Sequence, residues 1–205
     1  MARPQQDPQI RRNEILDAAE ILFHDRGYHK TMVSDIVKEI GAAQGTFYYY
    51  FSSKEEIIEG LIDRHLSKFK SKIEKIFFDI NINLIQKIDM IANIIYSTIL
   101  YKNGLLLDFL YNDQYLHLMD KFFRQSKKLI APYLLDIIKE GNADKIFHTP
   151  FPEVSVRFIL SIIQCYAEAM YDKKSDTFLT QQMTLAKKLI ENALGAEEGS
   201  LPISL

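Results

Sequence analysis

Residues 44–54 read QGTFYYYFSSK, a run dense in hydroxyls and aromatic rings and ending in a lysine. Successive side chains in a helix are about 100° apart, so Phe47 and Phe51 share one side. Gly45 and Tyr49 then fall opposite, flanked by Thr46 and Tyr48. A helix of this kind has an inner phenylalanine face and an outer face suited to nucleic acid. Gln44, near the helix start, can form paired hydrogen bonds with adenine in the major groove, and Gly45 lets the backbone approach base edges. Tyr49 is placed to meet base methyls or phosphate. The hydroxyls of Thr46, Tyr48 and Tyr50 are phosphate partners that set register, and Lys54 adds charge beside helix-start amides. An aromatic run also suits a strand, so the flanking residues must decide.

The flanks decide for helix. A first helix runs from about Gln9 to Arg26, with Ile15, Ala19, Leu22 and Phe23 on one face and Gly27 as its C-terminal cap. Thr31 is placed to cap a second, short helix with Val33, Ile36, Val37 and Ile40 inward, closed by Gly41. The third helix is the aromatic run, Gln44 to Tyr50. Ser53 followed by Glu56 forms a capping box that starts a long helix reaching about Phe78. Gly60 inside that helix costs about 1 kcal/mol relative to Ala, which points to close packing. Two short helices joined by a glycine turn, the second with a polar and aromatic outer face, make a helix-turn-helix.

The stretch GYHKTMVSDIVKEIGAAQGTFYYYFSSKEEII resembles the DNA-binding domain of the TetR family of bacterial transcriptional regulators. It has the Gly-aromatic pair, the Thr before a short helix, the Gly turn, the Gly-Thr pair, the aromatic cluster and the Lys-Glu start of the fourth helix. The resemblance covers roughly residues 9–60. It implies phosphate contacts from Thr46, Tyr48 and Lys54, base contacts around Gln44, Gly45 and Tyr49, and Thr31 and Ser34 at the backbone-contacting start of the second helix. One departure is Ala43, where the family often has a capping residue; loss of a cap costs about 1 kcal/mol. Arg3, Arg11 and Arg12 read equally as a basic DNA-contacting arm and as a solvated helix start.

From Asn83 the pattern stays helical. Asp113 is placed to cap a long helix to about Glu140, in which Pro132 predicts a kink. A loop follows, GNADKIFHTPF. Pro152 opens a helix to residue 171 that is apolar nearly all round, a pattern expected of burial on every side. Asp176 is placed to cap the last helix, striped by Leu179, Met183, Ala186, Ile190 and Ala193. The predicted fold is therefore all-α. Its parts are a helix-turn-helix domain over residues 1–54, a ligand-binding and dimerisation domain over 55–195, and a disordered tail over 196–205.

Composition sets the outer limits. With 205 residues, 47% hydrophobic and 25% charged, the chain can bury one large or two small cores. The formal net charge of −2 carries no bulk nucleic-acid signature, so a DNA reading rests on local placement. No apolar run is long enough to span a bilayer and the N-terminal residues lack a signal-peptide core, so a cytoplasmic location without membrane contact is expected. The single cysteine, Cys165, fits a reducing compartment and a structural role.

By the same resemblance, the remaining three quarters of the chain would be the ligand-binding and dimerisation part. The last two helices carry more apolar surface than one bundle needs, which predicts a homodimer through a four-helix interface. Two heads would then read a pseudo-palindromic operator in double-stranded DNA. An effector pocket is expected among Tyr96, Phe109, Tyr115, His117, Met119, Phe122, Phe123 and Tyr166, suited to a small apolar or amphipathic compound. No cofactor or metal is implied. The five histidines are scattered, and there is no Gly-rich phosphate loop, Glu-x-x-His pair or zinc spacing to support an enzyme. A helical protein-interaction module without DNA binding is the alternative; it leaves the Gly-Thr-Tyr face without a purpose.

Overall fold

The structure, a computed structural model, describes residues 8–99 and 116–203. Among the described residues there are eight helices and no strand: α1 (Pro8–Arg26), α2 (Val33–Glu39), α3 (Gln44–Tyr50), α4 (Lys54–Phe77), α5 (Leu84–Ile99), α6 (Leu116–Ala143), α7 (Pro152–Tyr171) and α8 (Asp176–Leu194). The all-α expectation holds. The chain divides into two compact units, residues 1–65 and 66–205.

The first unit is larger than the expected 1–54, because the first turns of α4 belong to its core. Ile57, Ile58, Leu61 and Ile62 are buried with Ile15, Leu16, Phe23, Ile36, Phe47 and Phe51. A polar clasp adds to this: the buried Glu20 carboxylate of α1 accepts from Arg64 at 2.8 Å and pairs with His65 Nε2 at 2.7 Å. Paired in this way, the buried charge is tolerated, and losing either partner would be costly. Gly60 packs as expected: a Cβ there would lie 3.1 Å from both Arg12 and Leu16.

Helix ends follow local chemistry, with three shifts from expectation. Met32, not Thr31, is the N-cap residue of α2, and its N–H donates to the Asp35 carboxylate at 2.8 Å. Ser53 accepts from Glu56 N–H at 3.1 Å, but the Glu56 carboxylate reaches one residue further back, to the N–H and hydroxyl of Ser52 at 2.6 and 2.7 Å. Ser175, not Asp176, caps α8 by accepting from Phe178 N–H at 3.2 Å. Gly41 adopts the left-handed φ of 61° that lets the chain reverse between α2 and α3. The expected cap Asp113 lies outside the described residues.

The second unit is a bundle with buried Ile73, Ile91, Ile137, Ile138, Val156 and Ile159 at its centre. Helix α6 continues through Pro132 and on to Ala143, past the expected end near Glu140. Two expectations fail here. Helix α7 is not buried on every side, since Val154 and Phe158 are exposed while Val156, Ile159 and Leu160 pack inward. Residues 196–203 are not a disordered tail: Leu201 is fully buried, and Gly199 and Leu201 N–H donate to the buried Glu191 carboxylate at 3.0 and 3.2 Å. A buried carboxylate gathers backbone donors, which ordered the segment in a way that its small-residue composition did not foretell.

Candidate nucleic-acid interface and ligand cavity

Phe47 and Phe51 are buried with ring centroids 6.0 Å apart, and they pin α3 to the unit beneath. The opposite face of α3 is open. Gln44, Gly45, Tyr48 and Tyr49 are exposed, Tyr49 by 77%, and the Tyr49 and Tyr50 rings meet edge-to-face at 4.9 Å. A Cβ built on Gly45 would meet nothing within 4 Å, and its backbone is not left-handed. The chain itself therefore has no need of glycine there. Thr46 and Tyr50 are half-buried at the rim, and Ser34 is exposed on α2. Ala43 heads α3 without a side-chain cap bond, as its residue type requires.

Lys54 is a clamp as well as a charge. Its ammonium donates to the carbonyls of Tyr28 at 2.7 Å and Thr31 at 2.9 Å, and it lies 4.0 Å from the centroid of the Tyr28 ring. An ammonium has three donors, so one remains for an outside acceptor. Burial pushes the Lys54 ammonium below its ordinary pKa. Thr31 differs from expectation: it is fully buried, and its hydroxyl lies within hydrogen-bond distance of the Leu22 and Gly27 carbonyls. Its side chain is out of reach of a phosphate and holds the α1–α2 turn instead. Arg12 lies 4.9 Å over the Phe51 ring and Arg11 pairs with Glu14 at 2.6 Å, while Arg3 lies outside the described residues.

The second unit encloses an apolar cavity of about 80 Å³. Among the described residues its walls come from α5, α6, α7 and α8, with Phe147 and Ile203 beside them. Tyr96 and Tyr166 are the lining residues that carry a hydroxyl. Burial, then the neighbouring Tyr96, pushes the Tyr166 phenol up, so it stays a neutral donor. Of the expected ligand residues, Tyr96 and Tyr166 line the cavity. Phe122 and Phe123 are half-buried away from it, and His117 is exposed. Phe109, Tyr115 and the Met119 side chain lie outside the described residues. The sequence reading missed Ile91, Ile95, Met183 and Ile190. Their signal was the inward apolar stripe of α5 and α8, which looks like any core stripe.

A small helix-turn-helix unit is thus followed in the chain by a helical bundle with an apolar cavity. Residues 15–61 match the family model described as bacterial regulatory proteins, tetR family. Over those residues the chain resembles the TetR family. It is 39% identical over 62 residues to the fatty acid metabolism regulator protein of Bacillus subtilis (strain 168), a match covering 30% of this chain and 32% of that one. The alignment thus spans about a third of that relative's length. It is 27% identical over 161 residues to the transcriptional repressor KstR2 of Mycolicibacterium smegmatis, covering 77% of this chain and 76% of the relative. The structure superposes on SmeT, solved as its triclosan complex, with a TM-score of 0.66 and 18% identity over 96% of this chain and 99% of SmeT. That likeness concerns the fold. Among the described residues no helix is long and apolar enough to cross a membrane.

Proposed function

We propose that this chain is a repressor that binds a pseudo-palindromic operator as a homodimer and is released by a small apolar or amphipathic effector. The observation that carries the reading is the open face of α3, where a glycine that the fold does not require sits beside exposed Gln44, Tyr48 and Tyr49. A side chain missing without internal reason makes sense if another molecule comes close. Thr46, Tyr48, Tyr50, Ser34 and the free donor of Lys54 then take phosphates, while Gln44, Gly45 and Tyr49 face bases. Relatives named as a regulator protein and as a transcriptional repressor support the same reading and speak against an enzyme.

Dimerisation is supported by two exposed stripes. Val154, Phe158 and Cys165 lie along α7, and Phe178, Leu185 and Leu189 along α8, at spacings that keep each set on one helical face. Contiguous apolar faces of this kind mark interfaces, and a self-complementary pair of helices suits two-fold symmetry. The effector reading rests on the cavity, whose apolar wall carries two phenols. SmeT, which shares this fold, was solved as its triclosan complex, which supports the same reading. Effector and operator binding are coupled through α4, which begins in the first unit and ends in the second, and each then weakens the other by the same factor.

The experiment is selection of binding sites from random duplex DNA by the purified protein at near-physiological salt. An enriched inverted repeat is expected. No enrichment by folded, dimeric protein overturns the DNA reading in favour of a protein-interaction module.

A further inference from the structure

The cavity, at about 80 Å³, is far smaller than the roughly 300–1,000 Å³ of ordinary ligand sites. If it is the effector site, one of its walls must give way. Most of its lining comes from four helices packed on one another; among the described residues, Phe147 and Ile203 line it from outside those helices. Phe147 is fixed. It is buried, its N–H donates to the Gly141 carbonyl at 2.9 Å, and its ring fills the space that a Cβ on Gly141 would need. Ile203 is held by a short segment that leaves α8 at Gly195, a residue with a left-handed φ of 64°.

That segment has its own chemistry. Glu198 pairs with Lys188 at 2.7 Å, with both side chains more than half exposed. Beyond it, Leu201 is fully buried and Ile203 reaches the cavity wall. The segment thus presents a carboxylate to a surface lysine and apolar groups to the interior, like an anionic amphiphile. Beside it lies an open groove lined by Lys187, Lys188, Glu191, Glu198, Met183 and Ile203, the last two shared with the cavity. In the closed state the two lysines and two glutamates balance. Moving the segment removes Glu198 and frees Lys188, so an excess of positive charge appears at the mouth as the mouth opens.

We propose that residues 196–203 are a displaceable strap that stands in for the effector, and that the effector is an anionic amphiphile whose apolar body replaces Ile203 and Leu201 and whose head pairs with Lys188. The proposal rests on the cavity being the effector site. The anchors are exchangeable: an exposed ion pair is weak, and the bonds from Gly199 and Leu201 to Glu191 can be replaced by water as the strap lifts.

The test uses the full chain with decanoate and decan-1-ol, which share a chain and differ in head charge. Binding is measured by calorimetry for wild type, Ile203→Ala and Lys188→Ala, with folding of each checked by circular dichroism. Ile203→Ala is expected to tighten decanoate at least fivefold, and Lys188→Ala to weaken decanoate at least fivefold with little change for decan-1-ol. Hydrogen exchange of the Gly199 and Leu201 amides should accelerate at least tenfold when decanoate binds. Decanoate binding with those amides equally or better protected overturns the strap while leaving the cavity as the effector site. A lysine substitution that weakens both probes equally overturns the head assignment. No binding of either probe to wild type or to Ile203→Ala overturns both the strap and the effector reading of the cavity.

Discussion

In the first unit the candidate site is outward, polar and drawn from residues 44–54, whereas in the second it is inward, apolar and drawn from four helices and the C-terminal segment. The contrast is clearest in the glycines. At Gly45 an added Cβ touches nothing; at Gly60 it would press on Arg12 and Leu16, and at Gly141 it would collide with Phe147. One glycine faces open space outside the chain, and the other two leave room for the chain itself. A surface for another macromolecule can therefore change without cost to folding, while the cavity is inseparable from the packing that makes it.

The largest expected effect breaks neither site but the pairing of copies. Leu185→Glu with Leu189→Glu places charge on the exposed stripe of α8. Sedimentation should then show monomers, and operator affinity should fall by about a thousandfold, toward the non-specific level of a single head. Dimers that persist with unchanged operator affinity would remove the proposed interface. Next comes the outward face itself. Gly45→Ala and Tyr49→Ala each disturb both half-sites of a dimer, so a loss of about 1–3 kcal/mol per half-site is expected in operator binding. Thermal stability should hold or rise, since Ala exceeds Gly by up to about 1 kcal/mol in a helix. A melting temperature that drops with Gly45→Ala would show that the fold does use that glycine, and the comparison would fail there.

Gly60→Ala and Gly141→Ala are the inverse experiment. Overpacking of a tight site costs about 1–3 kcal/mol, so Gly141→Ala should lower the melting temperature by several degrees. At Gly60 the helix gain of about 1 kcal/mol for Ala offsets much of the cost of the 3.1 Å contacts. Gly141→Ala is the more severe, because the space it fills belongs to a buried ring and not to the end of a flexible side chain. An equal and negligible effect of the Gly45, Gly60 and Gly141 changes on stability would erase the distinction drawn between the two regions.

The same distinction explains what could be read from residue order. The helix-turn-helix was legible because its signals are short-range: Gly27 and Gly41 as stops, the phenylalanine pair one turn apart, and hydroxyls left over on the far side. Thr31 misled because a threonine before a helix is usually a cap, and only packing shows its hydroxyl turned back into the α1–α2 turn. Among the described residues the cavity was legible at Tyr96 and Tyr166. The rest of its described wall is mostly isoleucine at core spacing, and nothing local separates an isoleucine that fills space from one that borders a void. The order of residues 196–203 was hidden for a similar reason, since it depends on Glu191, a residue of another element whose burial arises from packing.

The smallest effect concerns Glu56, and it tests whether the start of α4 is held by charge. Hydrogen bonds from the Ser52 N–H and hydroxyl, with a smaller contribution from Arg12, hold its carboxyl below the ordinary carboxylate range. A carboxyl depressed on folding contributes stability that is fully present above its unfolded pKa, about 4.3 for Glu, and that is lost as pH falls through the lower, folded value. Glu56→Gln should therefore melt below wild type at pH 7, by less than about 1 kcal/mol because the site is largely solvated. The gap should close as the pH is lowered past 4.3 toward 3. A gap that stays constant across that range would mean that shape, not charge, holds the turn. The start of α4 would then depend on packing, as the cavity does.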